Sequence, residues 1–462
     1  MKAVRRTYIK KKNGKLRPLG IPIIKDRIYQ NIVKNAPEPH REARFEPNSY
    51  GFRPKRSTHD AIANLYTKLN SRTTRKWIFE GDFKGCFDNL SHEHILNKVS
   101  RFPNKQLIEN RLKAGYVDND TFRETDKGTP QGGVISPSLA NTALHGPEKE
   151  IGVEYQYTKD GYKLKRNSTG TVRCADDFVI ICHTQEQAES MYEKLQDCLD
   201  KRRLTSALDK TKVTHIESGF DFLGFNIRQC KEKLPVKPSK AGVKKAKEAI
   251  KDVFAQKRGR SAKELTAEPT PIIKRSGNYW QHAVSKEIYS TIDNYVWKKT
   301  VKFLNQLHPT KTWDWKKERY FKPDRNGISK DNRILTNPKN HKTQLMKMSW
   351  IPIERHVMVK FDNSPDNPEL KQYFEQRDEK QFKANNVLHR QKIAKAQNHK
   401  CRICGQSLIG EEGLEMNHIV PQSATRQAPE AVICKYSGQS QTPFPSEGAA
   451  MVIMPCVARG EA

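Results

Sequence analysis

Alternating apolar and polar residues predict β-hairpins in three parts of the chain. RTYIKK and KLRPLGIPII stand on either side of an Asn13-Gly14 turn, so we predict a hairpin within residues 1–30. Residues 171–182, TVRCADDFVIIC, predict a second hairpin in which a polar turn separates two apolar strands. Residues 214–228, THIESGFDFLGFNIR, predict further paired strands.

Apolar residues at helical spacing predict helices between and after these hairpins. A strand at 76–82 comes before a helix that begins near Ser91, a residue type that caps helix N-termini well. Breaks at 47–57 and 127–138 separate the helical patterns around them. We predict helices over about 184–203, 237–257, 262–306 and 368–397, loop-like chain over 308–345, and a poorly packed tail after 421.

The composition adds a strongly positive charge to this pattern. The chain has 462 residues, enough for about two to four domains, with 84 Lys and Arg against 52 Asp and Glu and a net charge of +32. A field of this sign favours a polyanionic partner, most simply nucleic acid. The alternative is a basic protein without such a specific role.

Membrane and secretory segments are absent from the sequence pattern. No run of about eighteen apolar residues occurs, which predicts no transmembrane helix. The basic start has no apolar stretch of the kind that secretory signals contain. Nine cysteines without an extracellular pattern favour reduced thiols, so we expect a cytoplasmic protein, associated with the nucleoid when bound to DNA.

Three aspartates lie at predicted strand ends, where ionised carboxylates are unfavourable unless something offsets the cost. Asp82 ends one predicted strand, and the adjacent Asp176 and Asp177 occupy the turn of the second hairpin. Neighbouring carboxylates repel one another, and apolar neighbours raise the cost of ionising them. Two divalent cations would offset this cost in the geometry of two-metal phosphoryl transfer, while solvated turn acids are the commoner alternative.

Seven ordered blocks of sequence resemble group II intron-encoded reverse transcriptases, also called maturases. The blocks are NGKLRPLGIP (13–22), FEPNSYGFRPKRS (45–57), GDFKGCFDN (81–89), GTPQGGVISPSLAN (128–141), RCADDFVI (173–180), DKTKV (209–213) and FDFLGF (220–225). The resemblance covers about residues 1–320, and a cysteine segment further on is similar to the C-terminal endonuclease of the same proteins.

The resemblance implies an α+β fold of the right-hand polymerase type, with an antiparallel palm sheet. It divides the chain into N-terminally short fingers, a palm with the catalytic aspartates, a helical thumb (domain X), a basic DNA-binding or linker region and a degenerate HNH-type remnant. The fingers are expected at 1–75, the palm at 76–230 and the thumb at 231–320. The basic region is expected at 321–395 and the HNH-type remnant at 396–462.

The family assigns catalytic roles to residues that this chain possesses. Asp82, Asp176 and Asp177 would bind two Mg²⁺ ions, together with the backbone carbonyl of Phe83, and Lys210 would help to protonate pyrophosphate. Lys15 and Arg17 would clamp the triphosphate of the incoming nucleotide. Phe87 would exclude a 2′-hydroxyl, Gln131 would contact the nucleotide, and Gly132 would let the backbone approach closely.

A further set of residues is expected to contact the primer and the template. It consists of Tyr50, Arg53, Cys174, Phe222, Leu223 and Gly224. The family usually has Tyr where this chain has Cys174, so contact area near the primer end is reduced. In the thumb, the family's IRGWANYY-like stretch is replaced by IKRSGNYW at 273–280, and Tyr279, Trp280, Tyr289, Tyr295 and Trp297 would either stack on bases or form the core of the bundle.

The C-terminal segment resembles the first half of an HNH endonuclease. Cys401 and Cys404 would help to hold a structural zinc ion, and His418 would be the general base. Asn417 stands where the family has a better metal ligand, and no histidine follows His418. We therefore expect that nuclease activity is lost.

Taken together, the residues and the resemblance indicate an RNA-directed DNA polymerase that also binds its intron RNA. Its expected partners are intron RNA, an RNA template, a DNA primer or target and deoxynucleotides. Two alternatives remain open, a maturase that acts mainly as an RNA-binding splicing cofactor and a mobility-associated DNA endonuclease.

Overall fold

The chain folds into two compact units, residues 1–362 and residues 363–462. Among the described residues, no helix combines the length and the apolar character needed to cross a membrane. The computed structural model describes residues 1–10, 14, 16–70, 73–83, 85–158, 161–165, 167–204, 211–256, 262–325, 327–339, 341, 343–386, 388–401, 405–409, 414–418 and 431–434.

The predicted N-terminal hairpin forms and becomes part of a four-stranded sheet. Strands β1 (Val4–Lys10) and β2 (Leu16–Ile21) pair antiparallel, and β1 also pairs in parallel with β4 in the strand order β2-β1-β4-β5. The elements that follow β2, as far as β5, are α1 (Ile24–Asn35), α2 (Glu38–Glu42), α3 (Thr58–Lys68), β3 (Trp77–Gly81), α4 (Cys86–Asn89), α5 (His92–Lys98), α6 (Lys105–Leu112), β4 (Tyr116–Asp118) and β5 (Thr121–Arg123).

A second sheet is fully antiparallel and contains the hairpin predicted at 171–182. Its strand order is β10-β3-β9-β8. The elements from the second break to this sheet's last strand are α7 (Ser136–Leu144), α8 (Pro147–Glu150), β6 (Tyr155–Thr158), β7 (Gly161–Leu164), β8 (Gly170–Cys174), β9 (Asp177–Cys182), α9 (Gln185–Glu189), α10 (Met191–Asp200) and β10 (Lys212–His215). The helix predicted over 184–203 is divided at Ser190, which ends α9 and starts α10.

Both faces of this second sheet are buried. Ile78, Val172 and Ile181 belong to one apolar cluster, whereas Phe79 and Ile180 belong to another. Alternate side chains of a strand point to opposite faces, so these strands separate two cores. An apolar strand with both faces covered is stabilised by burial along its whole length.

The chain after the second sheet forms a small sheet and a helical bundle. Strands β11 (Phe220–Phe222), β12 (Phe225–Ile227) and β13 (Val236–Pro238) pair antiparallel. The helices are α11 (Lys240–Gln256), α12 (Ala262–Ala267), α13 (Pro269–Trp280) and α14 (Lys286–Leu307). Tyr289 is fully buried and Trp280 is 4% exposed, so these two aromatic residues form bundle core, as the alternative prediction held.

The segment predicted as loop over 308–345 contains regular structure. It includes α15 (Trp313–Tyr320), which Thr312 caps, and the paired strands β14 (Phe321–Lys322) and β15 (Ile334–Leu335). The prediction was wrong here because the aromatic residues of this basic stretch pack on the bundle: the Trp297 and Phe321 rings lie 5.1 Å apart. Tertiary packing thus overrides a weak local pattern.

The second unit is small and begins with the helical region predicted at 368–397. It contains α16 (Lys371–Asn385), α17 (Leu388–Ala396) and the antiparallel pair β16 (Glu415–His418) and β17 (Ala431–Cys434). Except for β17, the tail predicted to be poorly packed lies outside the described residues.

Three histidines meet where helix α3 approaches the helical bundle. The rings of His59, His282 and His356 have centroids 4.7 to 5.7 Å apart, and Nε2 of His59 lies 2.7 Å from the Tyr279 carbonyl oxygen. Burial lowers the pKa of His59 to about 4, and the two neighbouring histidines act in the same direction against the opposing effect of Asp60. The fold therefore keeps His59 neutral.

This burial predicts a pH-dependent stability. The pKa of His59 is about 6.5 in the unfolded chain and about 4 in the folded one. Its contribution to the free energy of unfolding is therefore complete above pH 6.5 and is lost as the pH falls from 6.5 towards 4. We expect the slope of unfolding free energy against pH, measured by urea denaturation between pH 4 and 6.5, to be smaller in His59→Gln. Identical slopes in the two proteins would contradict this assignment.

Candidate active site

The three aspartates lie at one edge of the antiparallel sheet formed by β3, β8, β9 and β10. Asp82 directly follows β3, whose last residue, Gly81, pairs with Phe178 of β9. Asp176 is in the turn between β8 and β9, and Asp177 begins β9 opposite Cys174. The strand register therefore brings residues separated by about ninety positions in sequence to the same end of the sheet.

A loop from the first break supports the turn that contains Asp176. The backbone N–H of Tyr50 donates to the Arg173 carbonyl oxygen at 2.9 Å, and the Arg173 N–H donates to the Asn48 carbonyl oxygen at 2.9 Å. Ala175 has a φ of +60°, in the left-handed region that L-residues rarely adopt. Nη1 of Arg173 donates to the Ala175 carbonyl oxygen at 3.3 Å and so stabilises this conformation.

Two thiols, buried Cys86 and half-buried Cys174, respond to the negative charge at this edge. Burial, followed by the Asp176 and Asp82 carboxylates, raises the pKa of Cys86 to about 12 against the opposing effect of Arg173, so both carboxylates lie near the same thiol. Burial likewise raises the pKa of Cys174 to about 12, with Asp177 acting in the same direction. The edge is therefore a site at which cations are stabilised.

The donor set at the edge suits magnesium, because carboxylate oxygens are the hard ligands that Mg²⁺ prefers. In the described part of the chain, however, no group of three or more His, Cys, Asp or Glu side chains is already arranged around a metal position. Phe83, proposed to supply a carbonyl ligand, is 7% exposed and its ring stacks on that of Phe178 at 4.9 Å. This stacking fixes the chain directly after Asp82.

The residues predicted to bind the nucleotide lie near the 127–133 loop. Phe87 is half-buried, its carbonyl oxygen accepts from the Thr129 N–H at 2.6 Å, and its ring lies on the wall of a cleft of about 340 Å³. The Gln131 carbonyl oxygen accepts from Gly20 N–H at 2.7 Å, which joins this loop to the first sheet. A Cβ on Gly132, where φ is +111°, would lie 3.0 Å from the Gly20 carbonyl oxygen.

Of the other residues predicted to act at the nucleotide site, the structure describes only Arg17. Arg17 is exposed on β2, opposite Ile9. Lys15 and Lys210 lie outside the described residues, so their predicted roles remain predictions.

The predicted primer contacts form a connected group next to Cys174. Phe222 is 5% exposed in the core, while Leu223 and Gly224 form the turn between β11 and β12 with φ values of +48° and +77°. The Tyr279 hydroxyl donates to the Leu223 carbonyl oxygen at 2.7 Å. The Cys174 thiol contributes to a raised pKa of Tyr279, after burial, so the thiol and this hydroxyl are neighbours.

Tyr50 and Arg53 differ from the prediction that they contact primer or template directly. They are 1% and 6% exposed, respectively. Arg53 donates to both carboxylate oxygens of Glu42, at 2.6 to 3.0 Å, and to the carbonyl oxygens of Glu46 and Ser49. Their hydrogen-bonding groups are thus used inside the protein, where they hold the loop beneath the catalytic turn.

A buried polar network below this loop was not found by sequence reasoning. Nζ of Lys68 donates to the Thr171 carbonyl oxygen at 2.8 Å and to the side chain of Asn48, which in turn donates to Glu148 at 3.1 Å. Burial lowers the pKa of Lys68 and raises that of Glu148. In the sequence, these two residues resemble ordinary solvated charges, and no local pattern indicates that they meet.

The predicted endonuclease residues lie in the second unit and are described only in part. Cys401 is 3% exposed, and its carbonyl oxygen accepts from the Gly405 N–H at 2.9 Å. Cys404 lies outside the described residues. Asn417 and His418 are in β16, opposite Val432 and Ala431 of β17, and the description there is limited to the backbone.

Comparison with known proteins agrees with this architecture. Residues 9–227 match the family model described as reverse transcriptase (RNA-dependent DNA polymerase), and residues 243–321 match the group II intron, maturase-specific domain. The chain therefore contains a reverse transcriptase domain followed by a maturase-specific domain, which confirms the predicted α+β polymerase fold and its helical thumb.

Two curated relatives and one solved structure illustrate the similarity. The chain is 38% identical to protein YkfC of Escherichia coli over 48% of this chain and 66% of that protein. It is 33% identical to the group II intron-encoded protein LtrA of Lactococcus lactis over 49% of this chain and 47% of that protein, so it spans only about half to two thirds of these relatives. A telomerase structure from Candida albicans aligns with a TM-score of 0.39 at 12% identity, over 65% of this chain and 59% of that one.

From here on, fingers denotes the first sheet with its helices, and thumb denotes the α11–α14 bundle. Palm denotes the second sheet with its helices, together with the 47–57 loop and α3, both of which contact β8. Asp82, Asp176 and the 127–133 loop lie within the reverse transcriptase match, whereas Tyr279 lies within the maturase-specific match.

The contact between Gly51 and the catalytic turn yields a prediction. A Cβ on Gly51 would lie 2.3 Å from the Ala175 backbone nitrogen, and backbone atoms of a paired turn cannot move away cheaply. We expect Gly51→Ala to displace the turn and to abolish metal-dependent activity, measured as primer extension.

Gly170→Ala on β8 is the matched control. Its Cβ would meet Ile181 at an ordinary contact distance of 3.4 Å. We expect it to retain activity and stability close to those of the unmodified protein. Equal activity of the two variants would show that the loop does not position the turn.

Proposed function

We propose that this protein is an RNA-directed DNA polymerase of a group II intron, which adds deoxynucleotides to a primer 3′-hydroxyl. The observation that best supports the proposal is the convergence of Asp82, Asp176 and Asp177 at one edge of the palm, inside the region that matches reverse transcriptases. A protein that only binds RNA has no requirement for carboxylates in this arrangement.

Asp82 and Asp176 would hold two Mg²⁺ ions, with Asp177 adjacent and the Phe83 carbonyl as a further ligand. When bound, such ions supply charge neutralisation at the reacting phosphate and activation of the primer hydroxyl. The chain's own contribution is to fix the carboxylates: Arg173 and Gly51 hold the turn, and Phe178 stacks on Phe83.

Phe87 and Gln131 would recognise the incoming deoxynucleotide, with Arg17 and Lys15 at its phosphates. Phe87 has little freedom to move away from a 2′-hydroxyl, because its carbonyl is bound by the 127–133 loop and its ring lies edge-on to Phe52 at 5.9 Å. This restricted position favours deoxyribose over ribose.

A second function, binding of intron RNA as a splicing maturase, is favoured by a basic cleft between α2 and the α5–α6 turn. The cleft has a volume of about 660 Å³, and the described side chains that line it include no carboxylate. Its cations are Arg41, Arg44, Lys98 and Arg101. Phosphates of an RNA backbone suit such a lining, and binding there would weaken steeply with salt.

The C-terminal unit would be a remnant of an HNH endonuclease, in which Cys401 and Cys404 hold zinc. Cys401 is 3% exposed, and its spacing from Cys404 in the sequence is that of a Cys-x-x-Cys zinc ligand pair. Asn417 is a weak ligand for a catalytic metal, which favours a structural or DNA-binding role for this unit over cleavage. The proposed location is the cytoplasm, at the nucleoid when DNA is bound.

The polymerase proposal predicts that Asp176→Asn abolishes DNA synthesis. The amide keeps the size of the side chain but removes the charge that a metal ion requires, so we expect a loss of about a thousandfold or more. The measurement is extension of an oligo(dT) primer on a poly(rA) template with Mg²⁺. Unchanged binding of labelled intron RNA would show that the variant is folded, and undiminished extension would refute the assignment.

The nucleotide site predicts a change of sugar selectivity in Phe87→Ala. Removing the ring opens space for a 2′-hydroxyl, so incorporation of ribonucleotides relative to deoxynucleotides should rise by about tenfold or more. The ratio of kcat/KM values for the two nucleotides measures the effect. Phe122→Ala, on an exposed residue of β5, is the control and should leave the ratio unchanged.

A further inference from the structure

Residues 351–362, which we call the strap, lie beyond both regions that match known domains. The strap follows a 3-10 helix at Met348–Trp350 and has no regular secondary structure. Nevertheless, Ile351 and Val359 are buried, at 4% and 1% exposure, and His356, Met358 and Phe361 are half-buried. A segment anchored at both ends in this way contributes to packing and is not a free linker.

The first part of the strap is bound to the thumb. The Glu354 N–H donates to the Gln281 carbonyl oxygen at 3.0 Å, and the His282 ring lies 2.9 Å from the Glu354 carbonyl oxygen. Nζ of Lys286 donates to the Ile351 carbonyl oxygen at 3.0 Å. The strap is thus fixed to the end of α13 and the start of α14.

Ile351 also packs closely on a glycine of the thumb. A Cβ on Gly277, in SGNYW, would lie 2.2 Å from Cδ1 of Ile351. The bundle therefore accommodates the strap through the absence of a side chain at this position.

The last part of the strap is bound to α3 and to the loop beneath the catalytic turn. Oδ1 of Asp60 accepts from the Val359 N–H at 2.7 Å and lies 3.1 Å from the His356 ring. Nη2 of Arg56 donates to the Phe361 carbonyl oxygen at 2.6 Å, and the Tyr50 hydroxyl lies 3.8 Å from the Met358 sulfur. This part of the strap therefore reaches the structure that holds Asp176.

Asp60 is the centre of these contacts. It is 1% exposed, and its other carboxylate oxygen accepts from the N–H of Ser57 in the capping box that starts α3. Its carboxylate therefore receives hydrogen bonds from two elements of the protein at once. Hydrogen bonds to a buried charged group are stronger than those between neutral groups.

We propose that the strap fixes the thumb against the palm and that Asp60 is the positioning residue on which it is held. The inference rests on the proposed polymerase function, because a thumb fixed in this way sets how long the enzyme retains its primer–template duplex. Asp60 touches neither the primer nor the nucleotide in this role and acts through the strap and the thumb.

The test compares Asp60→Asn and His356→Ala in the full chain. Val357→Ala is the control, since Val357 is a strap residue that is 60% exposed. Each protein is bound to a fluorescein-labelled RNA–DNA duplex, and three quantities are measured: the duplex dissociation rate, the rate of the first nucleotide addition and the number of additions per binding event.

We expect both strap variants to release the duplex about tenfold faster and to make correspondingly shorter products, with the first addition changed by less than about twofold. The double variant should be no worse than the more severe single one, because the two side chains share a contact. Unchanged duplex dissociation in both strap variants would overturn the proposal.

The two proposals fail in distinguishable ways. If the unmodified protein does not extend primers, the polymerase proposal fails, and the duplex dissociation rates still test the strap. If Asp60→Asn does not fold because α3 loses its cap, His356→Ala alone gives the answer, since it leaves the capping box intact. A slower first addition in His356→Ala, with unchanged dissociation, would place the strap's effect in the chemistry and also overturn the proposal.

Discussion

The position of the carboxylates follows from burial of the palm sheet on both of its faces. Ile78 and Ile181 project into one core and Phe79 and Ile180 into the other, so these central positions of β3 and β9 are closed to water. A carboxylate inside such a strand would lose its hydration without a partner, a cost that cores do not tolerate. Glu80, which lies inside β3, pairs with Lys212 of β10 at 3.2 Å, whereas the three aspartates lie at the strand ends and in the connecting turn, where strand register brings them together.

Below this edge, buried charged residues hold the 47–57 loop, which is hydrogen-bonded to the strand before the Asp176 turn. Glu42 is contacted by both Arg53 and Arg56, at 2.6 and 3.6 Å, with all three side chains almost fully buried. Such pairs contribute little net stability when intact, but loss of one partner costs about 3–5 kcal/mol. The loop over the catalytic turn is therefore held in a single arrangement, because any alternative leaves an unpaired charge inside the protein.

Much of the fold could be predicted from sequence because its elements are marked locally. The strands on either side of Asn13-Gly14, the alternation in 171–182 and the Ser91 cap each depend on a few adjacent residues. The structure pairs the two strands, forms the 171–182 hairpin and caps the helix at Ser91. Tyr50 and Arg53 show the limit of this reasoning. A motif indicates that a residue matters, but whether it faces a ligand or supports one depends on Glu42 and Asn64, which pack against these residues only in the folded chain. The strap was beyond prediction for the same reason, since its contacts with α3 join residues about three hundred positions apart.

The close approach of Gly277 and Ile351 shows that the folded unit ends later in the chain than the region that matches known domains. Similarity to known domains stops at residue 321, whereas packing of the same body continues to residue 362. A shortened protein cut at the first boundary would expose the groove over Gly277 and leave Asp60 with a buried, partly unsatisfied carboxylate. Recombination that exchanges the C-terminal unit between relatives is therefore compatible with folding only when the crossover falls after the strap.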